Sequence, residues 1–592
     1  MNRREFLDLL MRSSAALGAA GMGLGMTSRA WASSASDLYK LPSFGSARLL
    51  HITDTHAQLN PIYFREPNVN LGLASAFGKL PHRVGKNLLS ELGSLSPLES
   101  HAFTYLNFEE AANRFGKVGG FAHLKTLIDQ LRGDVADGQS LLLDGGDTWQ
   151  GSGTALWTRG QDMVEATNRL GVDIMTGHWE FTYLEDEIHS NVDMFNGTFV
   201  AHNTYATDDA LFDGVPVYDD MTGHVFKPYD IRTMGEHRVA VIGQAFPYTP
   251  IANPKRFIPN WTFGIRESEL AELVADIRDN EDVDAVILLS HNGMDVDLKL
   301  ASQVSGIDVI LGGHTHDGVP VPVEVKNAGG VTVVTNAGSN GKFVGVLDLD
   351  LGKGRVKDYR YRLLPVFSNM LKPDAEMSAF IEGVRAPYKE ILDEPLAVAD
   401  SLLYRRGNFN GTFDQVICDA LRVQLDAQIS LSPGFRWGTT VLPGDTITMD
   451  RVLDQTCMTY PETYVRDMSG SELKTILESV ADNLFNEDPY YQQGGDMVRC
   501  GGLNYTLDPK AAMDHRISEM TLGSGERIDA NKMYRVAGWA TVGSESPGAP
   551  VWDVVADYLR EAKTVKVDRV DTPVLKGVSG NPGLEDYLGV LS

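Results

Sequence analysis

The run Arg48-Leu49-Leu50-His51-Ile52-Thr53-Asp54-Thr55-His56 decides how this chain is read. A short, mostly apolar stretch bounded by polar residues has the signature of a buried strand. The Asp-x-His pair just past it offers one carboxylate and one imidazole from the same turn. Such a pair arises easily by chance, so its weight depends on repetition. It does recur. Ser140-Leu141-Leu142-Leu143 leads into Asp144-Gly145-Gly146-Asp147, Ala285 to Leu289 into Ser290-His291-Asn292-Gly293, and Val309-Ile310-Leu311 into Gly312-Gly313-His314-Thr315-His316. A fifth segment, Gly177-His178-Trp179-Glu180, follows another apolar stretch. Open α/β sheets gather ligands outside the carboxyl ends of their strands, and every one of these segments sits there. Mixed carboxylate and imidazole donors suit Mn, Fe or Zn. Asp147, brought in close by the flexible Gly145-Gly146 pair, has two oxygens and can bridge two cations.

Outward from these segments, residues 47 to 365 alternate apolar runs with helical spacing. Helices are predicted over Phe121 to Leu131 and Glu269 to Ile277, and further strands near Val331–Thr335 and Val344–Leu349. That alternation defines an α/β layered domain, placed at 40–365. A linker helix is predicted over 366–395, from Glu376 to Ile391, and a second α/β or α+β unit over 396–592. Residues 57 to 116 interrupt the pattern with Asn, Pro, Gly and aromatic residues. An insertion of that length beside a site is expected to cover or shape it.

The chain has 592 residues and a formal net charge of -27, with 43% hydrophobic and 22% charged residues. Two or more soluble domains are expected from that length. The acidic surface disfavours nucleic acid and anionic membranes, so any anionic substrate must be caught by local positive charge. No run after residue 32 is apolar and long enough to span a bilayer. Residues 1–32 combine Arg3-Arg4, Phe6-Leu7, a weakly apolar run and Ala30-Trp31-Ala32. These are the parts of a twin-arginine (Tat) export signal with its cleavage site, and they predict a periplasmic protein. Cys418, Cys457 and Cys500 are too few and too odd in number for a disulfide framework, and buried packing is the default for all three. A monomer is expected.

The motifs resemble those of the calcineurin-like metallophosphoesterases, and the two-part layout resembles the 5′-nucleotidase family. Phe121-Ala122-His123-Leu124, Asp147-Thr148-Trp149-Gln150-Gly151-Ser152, Gly411-Thr412-Phe413, Arg436-Trp437-Gly438 and Gly444-Asp445-Thr446-Ile447-Thr448 carry the likeness. It implies a four-layer sandwich of two sheets flanked by helices, followed by an α+β substrate-binding domain. It also implies one metal held by Asp54, His56, Asp147 and His316, and a second held by Asp147, His178, His291 and His314.

The departures from that family are informative. Its Gly-Asn-His-Glu-Phe-Asp becomes Gly177-His178-Trp179-Glu180-Phe181-Thr182. His178 can still coordinate, but Trp179 and Thr182 remove the His–Asp pair that assists phosphate ester cleavage. Together with Phe64-Arg65-Glu66-Pro67, Gly407-Asn408-Phe409-Asn410 and Gly434-Phe435-Arg436-Trp437-Gly438, these changes resemble the SoxB branch, the thiosulfohydrolases of periplasmic thiosulfate oxidation. That resemblance implies two Mn ions, with Zn or Fe as substitutes. It also implies sulfate release from a cysteine S-thiosulfonate on the carrier SoxYZ, by metal-activated hydroxide attack on the sulfone sulfur. Asp147, His178 and Arg436 are the expected catalytic residues, and Trp179, Arg405, Arg406 and Arg436 the expected substrate-binding ones. Arg436 is the first choice for an anion clamp, because a guanidinium grips two oxygens at once. Asp173 and Glu180 are candidates for orienting the metal ligands. A periplasmic 5′-nucleotidase or phosphodiesterase is the competing reading.

Overall fold

The computed structural model describes residues 38–405 and 407–591. The export signal expected at 1–32, and Arg406, lie outside the described residues. The N-terminal part contains fourteen strands among the described residues. These are β1 (Ala47–Ile52), β2 (Ser140–Asp144), β3 (Ile174–Met175), β4 (Thr198–Phe199), β5 (Tyr205–Ala206), β6 (Tyr229–Met234) and β7 (His237–Gln244). They are followed by β8 (Trp261–Thr262), β9 (Ala285–Ser290), β10 (Val309–Gly312), β11 (Val323–Asn327), β12 (Gly330–Asn336), β13 (Phe343–Gly352) and β14 (Arg355–Pro365). Two six-stranded sheets result, in the orders β14-β13-β1-β2-β3-β4 and β11-β12-β10-β9-β7-β6. In the first sheet β1 to β4 run parallel and β13 and β14 are antiparallel to their neighbours; in the second the inner strands run parallel and both edge pairs are antiparallel.

The period of two in the strand sequences explains the layering. On β9, Ala285, Ile287 and Leu289 share an apolar cluster with Leu50, Ile52 and Leu142 of the first sheet. The alternate residues Val286 and Leu288 pack instead with Leu270, Val274 and Leu300 of helices Glu267–Asn280 and Met294–Gln303. Strands buried on both faces are mostly apolar, as β2, β9 and β10 are between their ends, and β1 adds buried His51 and Arg48, the latter paired with Asp348 at 2.6 Å. Helices Phe121–Gly133 and Gln161–Leu170 contribute Leu124, Leu127 and Val164 to the first cluster and flank the other sheet. The chain is therefore a mixed α/β protein whose N-terminal domain is two sheets between helices.

The C-terminal part builds a four-stranded sheet, Thr463–Ser469, Met533–Trp539, Ile429–Ser432 and Arg499–Gly501 in that order, and two three-stranded ones. The expected single linker helix is broken. Ala375–Arg385 ends at a 3-10 turn, Ala386–Tyr388, and a short helix, Lys389–Leu392, resumes. Pro387 has no N–H to donate, so the helical ladder cannot run through it. Met377 and Ile381 pack into the first core and Leu392 into the second.

The 57–116 insertion straddles both parts. It carries helices Gly85–Leu92, Pro97–Phe103 and Phe108–Phe115. Tyr63 pairs with Thr440, Val69 with Leu584, and Lys342 reaches Glu66 at 2.7 Å. Arg65 is sandwiched between the rings of Tyr105 and Tyr404, 4.8 and 4.1 Å from their centroids. Among the described residues no helix is long and apolar enough to cross a membrane.

Candidate metal centre

Parallel pairing puts the carboxyl ends of β1, β2 and β3 side by side, and those of β9 and β10 likewise. Where the two sheets abut, seven side chains converge. Two sets of four ligand atoms form, each with all its members within 4.8 Å of one another: Asp54, His56, Asp147 and His316, and Asp147, His178, His291 and His314. All are buried, and Asp147 belongs to both. Five of the seven residues, Asp54, His56, Asp147, His314 and His316, have left-handed backbone, with φ between 46° and 71°. Non-glycine residues adopt that region reluctantly, and such strain collects at functional sites. The tight turns let each chain segment reverse direction while its side chain faces inward.

Buried backbone donors hold the turns. Glu180 is fully buried, and its carboxylate accepts from four amides: those of Asp147 (3.1 Å), Thr148 (2.7 Å), Trp149 (3.0 Å) and His178 (2.9 Å). One side chain thus fixes the loops after β2 and β3 together. The Trp179 amide donates to Asp147 Oδ1 at 2.7 Å, and the His314 amide to both Asp54 oxygens at 3.0 and 3.1 Å. His291 Nδ1 donates to the Gly145 carbonyl at 2.6 Å, which aims Nε2 at Asp147 Oδ2, 3.2 Å away. Fixing one ring nitrogen in this way sets the tautomer for a metal on the other. Gly313 leaves no room for a side chain, because a Cβ would lie 3.0 Å from His291 Nδ1 and 3.1 Å from Asp54 Oδ2.

Electrostatics separate the histidines. Burial holds His56 down to about 3 and lowers His178 and His314 as well, with neighbouring imidazoles adding to the effect. His291 goes the other way. Burial lowers it, but the carboxylates of Asp147 and Asp54 outweigh burial and push it up to about 10. Asp147 would be raised by burial, yet His291 and His178 hold it well below the usual carboxylate range. Neutral imidazoles with inward lone pairs beside an ionised carboxylate form a cation-binding donor set. His178 Nε2 and His291 Nε2 are buried without a hydrogen-bond partner, as nitrogens that a metal would take up are. The seven residues therefore fit two divalent cations, with Asp147 shared by the two donor sets.

The remaining sequence-derived candidates are placed differently. Trp179 is 6% exposed, and its ring meets Trp437 and Phe435 edge-on at 5.0 and 5.4 Å. It belongs to the apolar cluster of the C-terminal part and seals the seam beside His178, whose ring is 5.1 Å away. Arg436 lines a cavity of about 950 Å³ together with Asn70, His82, Gly293, Thr315 and Gly494. The insertion thus forms one wall of the space next to the His314 loop. Arg405, expected to bind substrate, is fully buried and saturated by protein. Its Nε donates to Asp414 Oδ1 at 2.9 Å, its Nη2 to the Pro433 carbonyl at 3.2 Å, and its Nη1 to the Gln455 carbonyl. Asp173 is also displaced from its expected role. It precedes β3, at the opposite end from the ligands, and bonds Arg132 and the Leu142 amide at 2.7 Å. Asp496, Arg499 and Gly494 were not singled out by sequence. A lone Asp or Arg in a loop carries no pattern, and the Gly494-Gly495-Asp496 turn reads only as a turn. Cys418, Cys457 and Cys500 are buried free thiols.

The calcineurin-like phosphoesterase family model matches residues 47–318, and that of the 5′-nucleotidase C-terminal domain residues 398–553. This chain belongs to the 5′-nucleotidase family of metallophosphoesterases. Within that class it is similar to the sulfate thiohydrolase SoxB of Thermus thermophilus, with 37% identity and a TM-score of 0.84 over 91% of this chain and 98% of that one. It is 24% identical over 530 residues to the 5′-nucleotidase of Vibrio cholerae, covering 77% of this chain and 89% of that protein. It is 26% identical over 496 residues to the trifunctional nucleotide phosphoesterase YfkN of Bacillus subtilis, 76% of this chain, but spans only 32% of that protein.

Proposed function

We propose that this protein is a periplasmic, Tat-exported thiosulfohydrolase of thiosulfate oxidation, which hydrolyses a cysteine S-thiosulfonate presented by a SoxYZ-type carrier. The observation that carries this reading is Trp179 in the aromatic seam, where the nucleotidases have their catalytic histidine, in a chain 37% identical to a SoxB. The reaction is water plus Cys–S–S–SO₃⁻ giving Cys–S–S⁻, sulfate and two protons. The water oxygen bonds to the sulfone sulfur, and the S–S bond to the sulfane sulfur breaks. A persulfide leaves readily as an anion, so the missing His–Asp pair is dispensable. A nucleoside alkoxide is a far poorer leaving group.

Asp54, His56, Asp147 and His316 would hold one cation, and Asp147, His178, His291 and His314 the other. Both are expected to be Mn, with Zn or Fe accepted by the same donors. When bound, the pair makes water a nucleophile near neutral pH and polarises the oxygens of a tetrahedral anion. Arg436 clamps that anion from the C-terminal side of the cavity. Trp179, Phe435 and Trp437 exclude bulk water along the seam. A sulfone and a phosphoryl group are both tetrahedral and charged, and the Vibrio relative is a 5′-nucleotidase, so AMP is the control substrate. The decisive experiment measures sulfate release from thiosulfonate-loaded carrier beside AMP hydrolysis, both with Mn. Fast sulfate release with little AMP turnover supports the proposal, and the reverse overturns it.

A further inference from the structure

The charges behind Arg436 form an alternating chain. Arg405 bonds Asp414 Oδ1 at 2.9 Å, Arg499 Nε lies 3.2 Å from Asp414 Oδ2, and Arg499 Nη2 bonds Asp496 Oδ2 at 2.8 Å. Asp496 Oδ1 then accepts from Arg436 Nε at 3.2 Å, while Arg436 Nη2 donates to the Gly495 carbonyl at 2.6 Å. The side chains of Arg405, Asp414 and Arg499 are fully buried, that of Asp496 is 3% exposed and that of Arg436 15%.

Counted along the chain, two buried arginines and two buried aspartates cancel. Each inner charge has an opposite charge on both sides, which offsets its desolvation. Arg436 is the fifth member, and of the five residues it and Asp496 line the cavity, beside Asp295 and Asp317. In a chain of net charge -27, a positive group aimed at the site needs such a fixed support. A free arginine would fold back onto the nearest carboxylate.

We infer that Asp496 is a positioning residue: its two oxygens, one on Arg499 and one on Arg436, hold the Arg436 guanidinium in the plane from which it clamps the tetrahedral anion. The buried Arg405–Asp414–Arg499 segment is the anchor for that plane. This inference rests on the proposed role of the site in binding a tetrahedral anion. It adds a residue that touches no substrate but sets how well Arg436 does.

The test is a double-mutant cycle on the full-length, Mn-loaded protein, with Asp496→Asn, Arg436→Ala and both together. Asn keeps the shape of the side chain and removes its charge. Arg436→Ala is expected to lower kcat/KM for sulfate release ~100-fold, as losing a charge-assisted anion contact does. Asp496→Asn should lower it ~10-fold, mainly through KM, and the double variant should fall no further than Arg436→Ala. Asp496→Glu should recover part of the loss. Calorimetric titration with inorganic sulfate supplies the same cycle without turnover. Unchanged kinetics and sulfate affinity in Asp496→Asn, or losses that multiply in the double variant, would overturn the inference. If the wild type releases no sulfate from carrier yet the sulfate-binding cycle is non-additive, the thiosulfohydrolase reading fails and the positioning role stands.

Discussion

Gly494→Ala asks whether the C-terminal loop and the metal centre are one mechanical unit. Gly494 has a φ of +74°, and a Cβ there would overlap His314 Nε2 outright and lie 2.6 Å from Cδ2 and 3.1 Å from Cε1. Alanine in left-handed backbone already costs about 1 kcal/mol. Relieving the overlap requires a shift of about 1.5 Å by the ring or by the loop, given normal van der Waals spacing. The loop is pinned by the Asp496 amide on the Gly434 carbonyl at 2.8 Å and by Arg436 on Gly495. The ring is stacked on Phe246 at 4.2 Å but has no hydrogen bond to its Nε2. The ring is the softer partner and should yield. Displacing one donor of four should weaken the second cation by about 10- to 100-fold, as disturbed ligand support does elsewhere, or roughly 1.4–2.7 kcal/mol. The three atoms nearest the new methyl all belong to His314 and none to Asp54, His56 or His316, so the first cation should be unaffected. Metal analysis together with calorimetric Mn titration of the wild type and variant reads this directly. Two tightly held equivalents with unchanged affinities would refute the reasoning. A kcat/KM loss matching Arg436→Ala would then show that the loop had moved instead.

Other outcomes follow from the same geometry. Glu180→Gln turns an acceptor of four amides into a group with a donor facing them, so it should cost about 1–3 kcal/mol and lower the Tm, with metal content falling in parallel; an unaltered Tm would show that the two loops do not depend on it. In the metal-free protein His291 is raised to about 10 from an ordinary 6.5, so its stabilising charge is fully present below pH 6.5 and is lost as pH rises towards 10. Metal-free Tm should therefore fall across that window, and Mn uptake at neutral pH should release a proton, measurable by calorimetry in buffers of different ionisation enthalpy; no buffer dependence would contradict it. Trp179→His restores the family's histidine but empties an aromatic seam, so it should destabilise by ~3 kcal/mol without raising sulfate release. A large gain in sulfate release would show that the missing histidine had been limiting.

The two kinds of information, sequence and tertiary structure, divided cleanly at the metal centre. Strands predicted at Arg48–Ile52, Ala285–Leu289 and Val309–Leu311 are present with their ends extended by a residue. Doubly buried parallel strands are mostly apolar and stand out against any background. Their ligands were legible because an acid or histidine directly after such a strand has one place to go. β3 and β4, two residues each, carried no pattern and were missed, although His178 depends on β3. The broken linker was within reach, since Pro387 states it.

What the sequence determined by itself was the inventory: two layered parts, seven donors at strand ends, and the loss of the His–Asp pair at Trp179 and Thr182. These are local properties, written in the period of burial and in residue chemistry. Only the tertiary structure decided the partners. It gave four amides to Glu180 and sent Asp173 to the wrong end of its strand for a role at the site. It enclosed Arg405 as an anchor and left Arg436 lining the cavity. Arginines at 405 and 436 look alike in sequence. Which one is enclosed and which lines the cavity depends on packing that no local pattern encodes, and it pairs each with a carboxylate nine or sixty residues away, Asp414 or Asp496.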